Sequence, residues 1–142
     1  MNKNLPLSNI VVLDLTNVLS GPFATQILSD LGAEIIKVEK PNGDDSRKFG
    51  PFIKKRSSYF ISLNRGKKSI VVDFNNEEDK KIFKKLLAIS DVIIDNFKPG
   101  TLEKYGFSSS YLKKNFPLLI QTKISGFGET GPLKENPAYD MI

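Results

Sequence analysis

Residues 9–39 read NIVVLDLTNVLSGPFATQILSDLGAEIIKVE and contain two apolar strand patterns separated by one amphipathic helix pattern. The first strand is predicted over Asn9 to Thr16, where a β-branched apolar run has strand length and suits burial on both faces. Pro22 stands where the first residue of a helix would, and Gly32 supplies its end. Ala33 to Glu39 predicts a second strand, which completes a βαβ unit.

The same alternation of strands and helices continues along the chain. Short β-branched runs predict three more strands, over Ser69 to Phe74, Asp91 to Asp95 and Leu118 to Ser125. Helical spacing predicts one helix after the caps Asn75 and Asn76 and another over Ser109 to Asn115. We therefore predict an α/β fold, with a parallel Rossmann-like sheet and helices on both faces.

One long segment does not fit this alternation. Lys40 to Lys55 is rich in proline, glycine and charge and has no clear periodicity. It is predicted as a long surface loop, and loops of this length are commonly functional or mobile. Tyr59 to Leu63, which follows it, is either a short strand or a helical turn.

The composition excludes several kinds of chemistry. The 142 residues include no cysteine and no histidine. A disulfide framework, a thiolate metal site and a cysteine nucleophile are therefore excluded, and the commonest general base and zinc ligand are missing. Any chemistry of this chain has to use carboxylates, hydroxyls, lysine or tyrosine, and no metal site is predicted.

The N-terminus and the charge bear on location and partners. The first residues lack the apolar stretch of a signal peptide, and no apolar run approaches the length of a membrane span. We therefore predict a cytoplasmic protein that does not enter membranes. The net charge of +5 comes mainly from lysines. Solvated surface is their simplest interpretation, so nucleic-acid binding is not predicted.

Segments of glycine, proline, asparagine and basic residues follow predicted strands, if Tyr59 to Leu63 is counted as one of these strands. In a parallel sheet these segments meet at the carboxyl edge, where ligands bind. Exposed backbone N–H groups, a helix N-terminus and mobile cations suit a ligand that carries phosphate. The segments are Leu19 to Pro22, Lys40 to Asp45, Asn64 to Lys68, Asn96 to Gly100 and Ser125 to Gly128.

Each segment also has a simpler interpretation. The sequence Ser20-Gly21-Pro22 suits helix capping, and Asn96 to Gly100 contains the usual turn formers. Asn64 to Lys68 suits a solvated loop, and Asp45 and Arg47 are placed to pair with each other. Both interpretations stay open for every segment at this point.

The arginines favour the ligand interpretation slightly. The chain prefers lysine, yet its three arginines all lie between positions 47 and 65. Bidentate recognition of phosphate is the usual reason for arginine at a position where lysine would otherwise serve.

A dinucleotide-binding fold is the nearest alternative, because Glu39 ends the second predicted strand of a βαβ unit. The turn after the first strand, residues 15–21, reads LTNVLSG. It holds one glycine where the dinucleotide fingerprint requires three. NAD binding is therefore disfavoured.

The order and spacing of the segments closely resemble the N-terminal part of the family III CoA-transferases, the CaiB/BaiF group. Relatives of that group include formyl-CoA transferase, carnitine-CoA transferase and α-methylacyl-CoA racemase. The resemblance runs from Leu5 to Ile142. It is carried by VLDL at 12–15, SGP at 20–22, LGAEIIKVE at 31–39, GDDSR at 43–47, LNRGKKS at 63–69, DVIIDNFKPG at 91–100, SGFGETGP at 125–132 and Tyr139-Asp140.

The resemblance implies an activity and a set of site residues. A carboxylate nucleophile attacks an acyl-CoA thioester, an enzyme-bound thioester of CoA forms, and CoA passes to an acceptor acid. CoA or acyl-CoA is then a substrate, and no tightly bound cofactor is expected. The resemblance implies that three residues lie near the thioester: Asn17, Val18 and Leu19. It puts Lys40 toward the nucleotide and Tyr139 at the border of the active site. The other CoA-binding positions that it implies are Val72, Asn96, Phe97 and Lys104. Charge alone adds Arg65, Lys67 and Lys98 as accessory cations.

Two departures from the family pattern bear on the type of reaction. Some transferases carry glutamine near the thioester where this chain has Leu19, so a side-chain amide is missing there. Racemases typically place histidine at the position of Tyr139, and this chain has no histidine. A transferase is therefore favoured over a fragment of an acyl-CoA racemase.

Length is the third departure. Family members are more than twice as long, and their catalytic aspartate falls beyond Ile142, so we expect no catalytic nucleophile in residues 1–142. We interpret residues 1–142 as a truncated N-terminal CoA-binding α/β domain of a larger, interlocked-dimer fold. Such a domain exposes apolar surface, and either a separate chain or a homodimer would complete it. A non-catalytic CoA-binding module or an inactive remnant is the alternative.

Overall fold

A parallel sheet of five strands forms the centre of the computed structural model, which describes residues 5–136 and residue 138. Along the sheet the strand order is β5-β2-β1-β6-β7, and every neighbouring pair is parallel. The five strands are β1 (Val11–Asp14), β2 (Glu34–Glu39), β5 (Lys68–Val71), β6 (Val92–Asp95) and β7 (Ile120–Lys123). A short antiparallel hairpin, β3 (Phe52–Ile53) with β4 (Arg56–Ser57), stands apart from the sheet.

Within the part of the chain that the structure describes, four α-helices connect the strands: α1 (Ser20–Asp30), α2 (Ser58–Asn64), α3 (Glu77–Ile89) and α4 (Ser109–Asn115). Two 3-10 turns, Asp45–Lys48 and Glu103–Tyr105, lie in the connecting loops. Asn76 caps α3 by accepting a hydrogen bond from the Glu78 amide, as its position predicts. The stop predicted at Gly32 is also found, since Gly32 follows the end of α1 with a φ of +104°.

Neighbouring residues of each central strand point to opposite faces of the sheet. Leu13, Ile36 and Ile93 join one cluster, which includes residues of α3 and α4. Val12, Ile35 and Ile94 join a second cluster, against which Leu28 of α1 packs. The first cluster carries a run of aromatic contacts through Phe74, Phe83, Phe107 and Tyr111. The predicted parallel α/β sheet with helices on both faces is therefore confirmed.

The strand order reverses direction next to β1. From β1 the chain moves outward to β2 and β5, and it then returns to the other side of β1 to form β6 and β7. The reversal leaves a crevice beyond the carboxyl ends of β1 and β6. Open α/β sheets bind their ligands at such a topological switch point.

The segment predicted as a featureless loop is more ordered than expected. After β2 the chain forms the 3-10 turn Asp45–Lys48 and then the β3-β4 hairpin. Of the two alternatives for Tyr59 to Leu63, the helical one is correct, because these residues lie within α2. α2 packs against α1.

Apolar side chains are exposed at several places on the surface, among them α1 and the outer edge of the sheet near β7. On α1 and just past its end, Phe23, Ile27 and Leu31 are each more than 40% exposed. At β7, Leu118 is 92% and Ile120 60% exposed, and within residues 5–136 no strand pairs with the outer edge of β7. None of the helices formed by the described residues is long and apolar enough to cross a bilayer.

Candidate functional site at the carboxyl edge of the sheet

Two loops meet at the switch point and are joined by one asparagine. Asn96, directly after β6, accepts a hydrogen bond from the Asn17 backbone amide through Oδ1 at 2.9 Å. Its Nδ2 donates to the Asn17 carbonyl, also at 2.9 Å. Both hydrogen-bonding groups of the Asn96 side chain are thus used to fix the backbone of Asn17. We call this pair of hydrogen bonds the Asn96 clamp.

The clamped segment has an unusual backbone. Val18 has a φ of +68°, in the left-handed region that β-branched residues strongly avoid. Such a conformation costs about 1–3 kcal/mol and persists only where neighbouring groups enforce it. Backbone strain of this kind occurs preferentially at functional sites. The predicted site residues Asn17, Val18 and Leu19 form this segment.

The Ser20-Gly21-Pro22 sequence serves close packing. The helix α1 begins at Ser20, two residues before the predicted start, and its N-cap residue Leu19 makes no side-chain capping bond. The interpretation of this sequence as a helix cap is therefore wrong. A Cβ atom on Gly21 would lie 2.2 Å from the Cβ of Thr16, so glycine lets the helix start closely behind β1.

A buried ion pair lies beneath this turn. Asp14 and the ammonium-bearing side chain of Lys67 are at most 1% exposed, and Lys67 Nζ lies 3.1 Å from Asp14 Oδ2. The same ammonium donates to Thr25 Oγ1, Asn64 Oδ1 and the Pro22 carbonyl. Burial lowers the pKa of Lys67, and the charge of Asp14 opposes that shift. All of these contacts are within the chain, so Lys67 is not the accessory ligand cation that charge alone predicted.

A second buried pair joins β2 to the loop that follows it. Lys37 Nζ lies 3.0 Å from Asp44 Oδ2 and donates to the Thr16 carbonyl at 2.7 Å. Asp44 Oδ1 accepts from the amide and the hydroxyl of Ser46, and the Val18 amide points to it at 3.5 Å. Burial alone would raise the pKa of Asp44, but the charge of Lys37 and the Ser46 hydrogen bonds lower it.

The loop after β2 is anchored by Glu39 and Arg47. Arg47 donates to both oxygens of Glu39, from Nε at 2.7 Å and from a terminal nitrogen at 2.6 Å. Its guanidinium also lies 3.7 Å from the centre of the Phe60 ring. Burial would raise the pKa of Glu39, but the hydrogen bonds of Arg47, Ser69 and the Asp44 amide lower it to about 2. Glu39 therefore stays ionised and holds the loop at neutral pH.

These contacts correct two predictions about the charged residues. Arg47 pairs with Glu39, and Asp45 pairs with Lys40, so the suggested Asp45 and Arg47 pair does not form. Arg65 pairs with Asp30 at the end of α1. Within the described residues, two of the three arginines thus serve intramolecular ion pairs, and the arginine distribution does not indicate a phosphate site.

The remaining predicted site residues differ in what they present to a ligand. Lys40 is about half exposed and contacts Asp45 at 2.8 Å, and Lys104 is exposed. Val72, directly after β5, is 1% exposed and belongs to the core, and its amide donates to the Glu39 carbonyl, so it presents neither side chain nor backbone to a ligand. Phe97 is half-buried and packs against the same core. Tyr139 lies outside the described residues.

A small pocket extends the crevice toward β7. Asp95, Phe97, Lys98, Thr101, Gln121 and Lys123 are among its lining residues. Asp95 is 5% exposed, and burial raises its pKa, although its hydrogen bond from the Phe97 amide acts in the opposite direction. The carboxyl edge therefore combines a strained clamped turn, a buried carboxyl group and exposed lysines.

Sequence reasoning did not identify Asp14, Lys37 or Asp44 as parts of the site. A usable signal was present for two of them, since Asp14 lies between Leu13 and Leu15, and Lys37 between Ile36 and Val38, within apolar strand runs. A charge at such a position needs a partner when it is buried. Nothing in the sequence indicates that the partners are Lys67 and Asp44.

Comparison with known proteins assigns the family. The model of the CoA-transferase family III matches residues 7–142. An acetyl-CoA:oxalate CoA-transferase of Acetobacter aceti is 49% identical over 96% of this chain and 36% of its own length. A human succinyl-CoA:glutarate CoA-transferase is 45% identical over 100% of this chain and 33% of its own length. The chain therefore belongs to CoA-transferase family III.

The fold comparison agrees with this assignment. The crystal structure of a CaiB/BaiF family protein from Brucella suis matches with a TM-score of 0.92 and 45% identity, over 98% of this chain and 38% of that chain. The chain thus spans about a third of the length of these relatives.

Proposed function

We propose that residues 1–142 form the CoA-binding α/β portion of an enzyme that transfers CoA between carboxylic acids. Family membership supports the class of reaction. The observation that carries the proposal is the strained turn Asn17 to Leu19, held by the Asn96 clamp at the switch point of the sheet. Parallel sheets bind ligands at this point.

In this proposal the thioester end of CoA lies against Asn17, Val18 and Leu19. The nucleotide end lies toward Lys40 and Lys104, whose exposed ammonium groups suit phosphate. Phe97 contributes a ring face, Asn96 acts mainly through Asn17, and Val72 acts only by packing beneath the site. Tyr139 borders the reacting end of the substrate, as the family resemblance implies.

The proposed reaction needs a carboxylate nucleophile, which attacks the thioester carbonyl, forms a mixed anhydride and releases CoA as the thiolate. The thiolate then attacks the acyl carbon of the enzyme's carboxyl group, which forms an enzyme-CoA thioester and releases the donor acid. The acceptor carboxylate takes CoA from this thioester by the same two steps in reverse.

We assign the role of nucleophile to an aspartate that the resemblance puts beyond residue 142, supplied by a companion chain or by further polypeptide. The exposed apolar side chains of α1 and β7 support the proposal that other polypeptide covers them. A homodimer is the proposed assembly and the cytoplasm the proposed location.

The relatives suggest which acids to test first. The Acetobacter relative is named for acetyl-CoA with oxalate and the human relative for succinyl-CoA with glutarate, so both named acceptors, and the acid of one of the two named donors, are dicarboxylic. A non-catalytic CoA-binding module remains the alternative function. It differs from the enzyme in binding CoA without transferring it when the rest of the protein is present.

Charge reversal at the carboxyl edge tests the proposed CoA site. Lys40→Glu and Lys104→Glu are each expected to weaken CoA binding about threefold to tenfold, because each puts a negative charge near the phosphates. The matched control is Lys84→Glu on the exposed face of α3, which changes the net charge equally. Isothermal titration at low salt measures the three dissociation constants. Equal losses at all three positions would leave only nonspecific attraction and would contradict the proposed site.

A further inference from the structure

The strained conformation of Val18 needs contacts that enforce it. The Asn96 clamp fixes the preceding residue, Asn17, from the β6 side of the crevice. On the opposite side, Lys37 donates to the Thr16 carbonyl at 2.7 Å, and Asp44 lies next to the Val18 amide. The strained residue is therefore held on both sides, and the contacts from the β2 side come from one buried ion pair.

The burial of Lys37 and Asp44 makes a purely stabilising role a poor explanation. Their side chains are 1% and 0% exposed, so both charges have lost their contact with water. Buried ion pairs of this kind are often no more stabilising than apolar side chains of similar size. Ile35, which lies two residues before Lys37 on the same face of β2, is 1% exposed, so this face of the strand also accommodates an apolar side chain.

The position of Asp44 also connects two parts of the proposed CoA site. Asp44 belongs to the loop that also carries Lys40 and is held by Glu39 through the hydrogen bond from its amide at 2.9 Å. Through Lys37 and Thr16, this loop is connected to the turn at Val18. The pair thus links the segment proposed for the nucleotide end of CoA to the segment proposed for its thioester end.

We propose that the ion pair of Lys37 and Asp44 positions Thr16 to Val18 and holds this segment in the strained conformation that binds the ligand. This inference rests on the proposed function, because the affected ligand is CoA. Neither residue touches the substrate in this account. Loss of the pair lets Val18 relax to an ordinary backbone conformation, and only the fraction of molecules that keep the strained turn then binds CoA well.

The test removes both charges together, so that neither is left buried without a partner. In Lys37→Met/Asp44→Asn the Thr16 carbonyl loses its donor, while the chain keeps its net charge. The dissociation constant for CoA is expected to rise about tenfold if about a tenth of the molecules keep the competent turn. The Cα and Cβ resonances of Val18 in a ¹³C,¹⁵N-labelled sample, which report on its backbone conformation, are expected to move. The control Glu34→Gln/Lys68→Met makes the same chemical change in the ion pair at the outer side of β2, where Lys68 lies 2.6 Å from Glu34.

The outcomes separate this inference from the proposed function. The inference is overturned if the double variant folds, binds CoA as tightly as the unaltered chain does, and leaves the Val18 resonances unmoved. If the unaltered chain does not bind CoA, the proposed function fails, and the Val18 resonances alone decide whether the pair positions the turn. If the double variant does not fold, Asp44→Glu takes its place. It keeps both charges but displaces the carboxylate, and it is expected to move the same resonances and weaken CoA binding.

Discussion

Replacing Lys67 with methionine is expected to lower the free energy of unfolding by about 3–5 kcal/mol, because Asp14 is left buried without its counter-ion. Asp14 is 0% exposed, and Lys67 is the cation that the structure pairs with it. The change also removes the hydrogen bonds that the Lys67 ammonium donates to Thr25 Oγ1, Asn64 Oδ1 and the Pro22 carbonyl, so the start of α1 loosens together with β1. Urea unfolding followed by circular dichroism measures the loss.

The neighbouring lysine provides the control. Lys68 pairs with Glu34, but its side chain is 64% exposed. Exposed pairs contribute about 0–1 kcal/mol, so Lys68→Met is expected to have a small effect. Equal destabilisation by the two substitutions would show that the buried position of Lys67 does not matter, contrary to the structure.

Replacing Asn96 with alanine is expected to weaken CoA binding about tenfold or more. Without the clamp, the Asn17 amide and carbonyl lose their partners, and the strained turn is populated in a smaller fraction of molecules. The fold should survive, with a loss of about 1 kcal/mol, because water reaches the half-buried Asn17 backbone. The predicted result is a large change in the dissociation constant with a small change in unfolding free energy.

Asn115→Ala is the matched control for the clamp. Asn115 Nδ2 donates to the Tyr111 carbonyl at the end of α4, so the same chemical change is made away from the switch point. It is expected to leave CoA affinity unchanged. If Asn96→Ala also leaves affinity unchanged, the clamp has no part in binding.

The sheet could be predicted because its signals are local. Each β-branched run is short and is bounded by glycine, proline or asparagine, and the helix patterns between the runs leave a parallel sheet as the consistent arrangement. The order of the strands is less local. The position of β6 beside β1 is fixed by contacts such as Leu13 opposite Ile93, which join residues distant in the sequence.

The charged part of the site could not be predicted because its contacts are distant in the sequence. Asp14 meets Lys67 across 53 positions, and Lys37 meets the Thr16 carbonyl across 21. The sequence does not indicate which of the two adjacent side chains, Lys67 or Lys68, is buried. Arg47 shows the same difficulty, since its planar group suits phosphate and also suits Glu39, and only the folded loop decides between them.

The most direct measurement of the proposed CoA site is a thermal melt of the chain alone, with CoA and with NAD. We expect one cooperative transition whose temperature CoA raises and NAD does not, because a ligand at about 100 times its dissociation constant adds about 2.7 kcal/mol to folding stability. A cooperative transition at the same temperature in all three samples would contradict the proposal that this chain carries a CoA site.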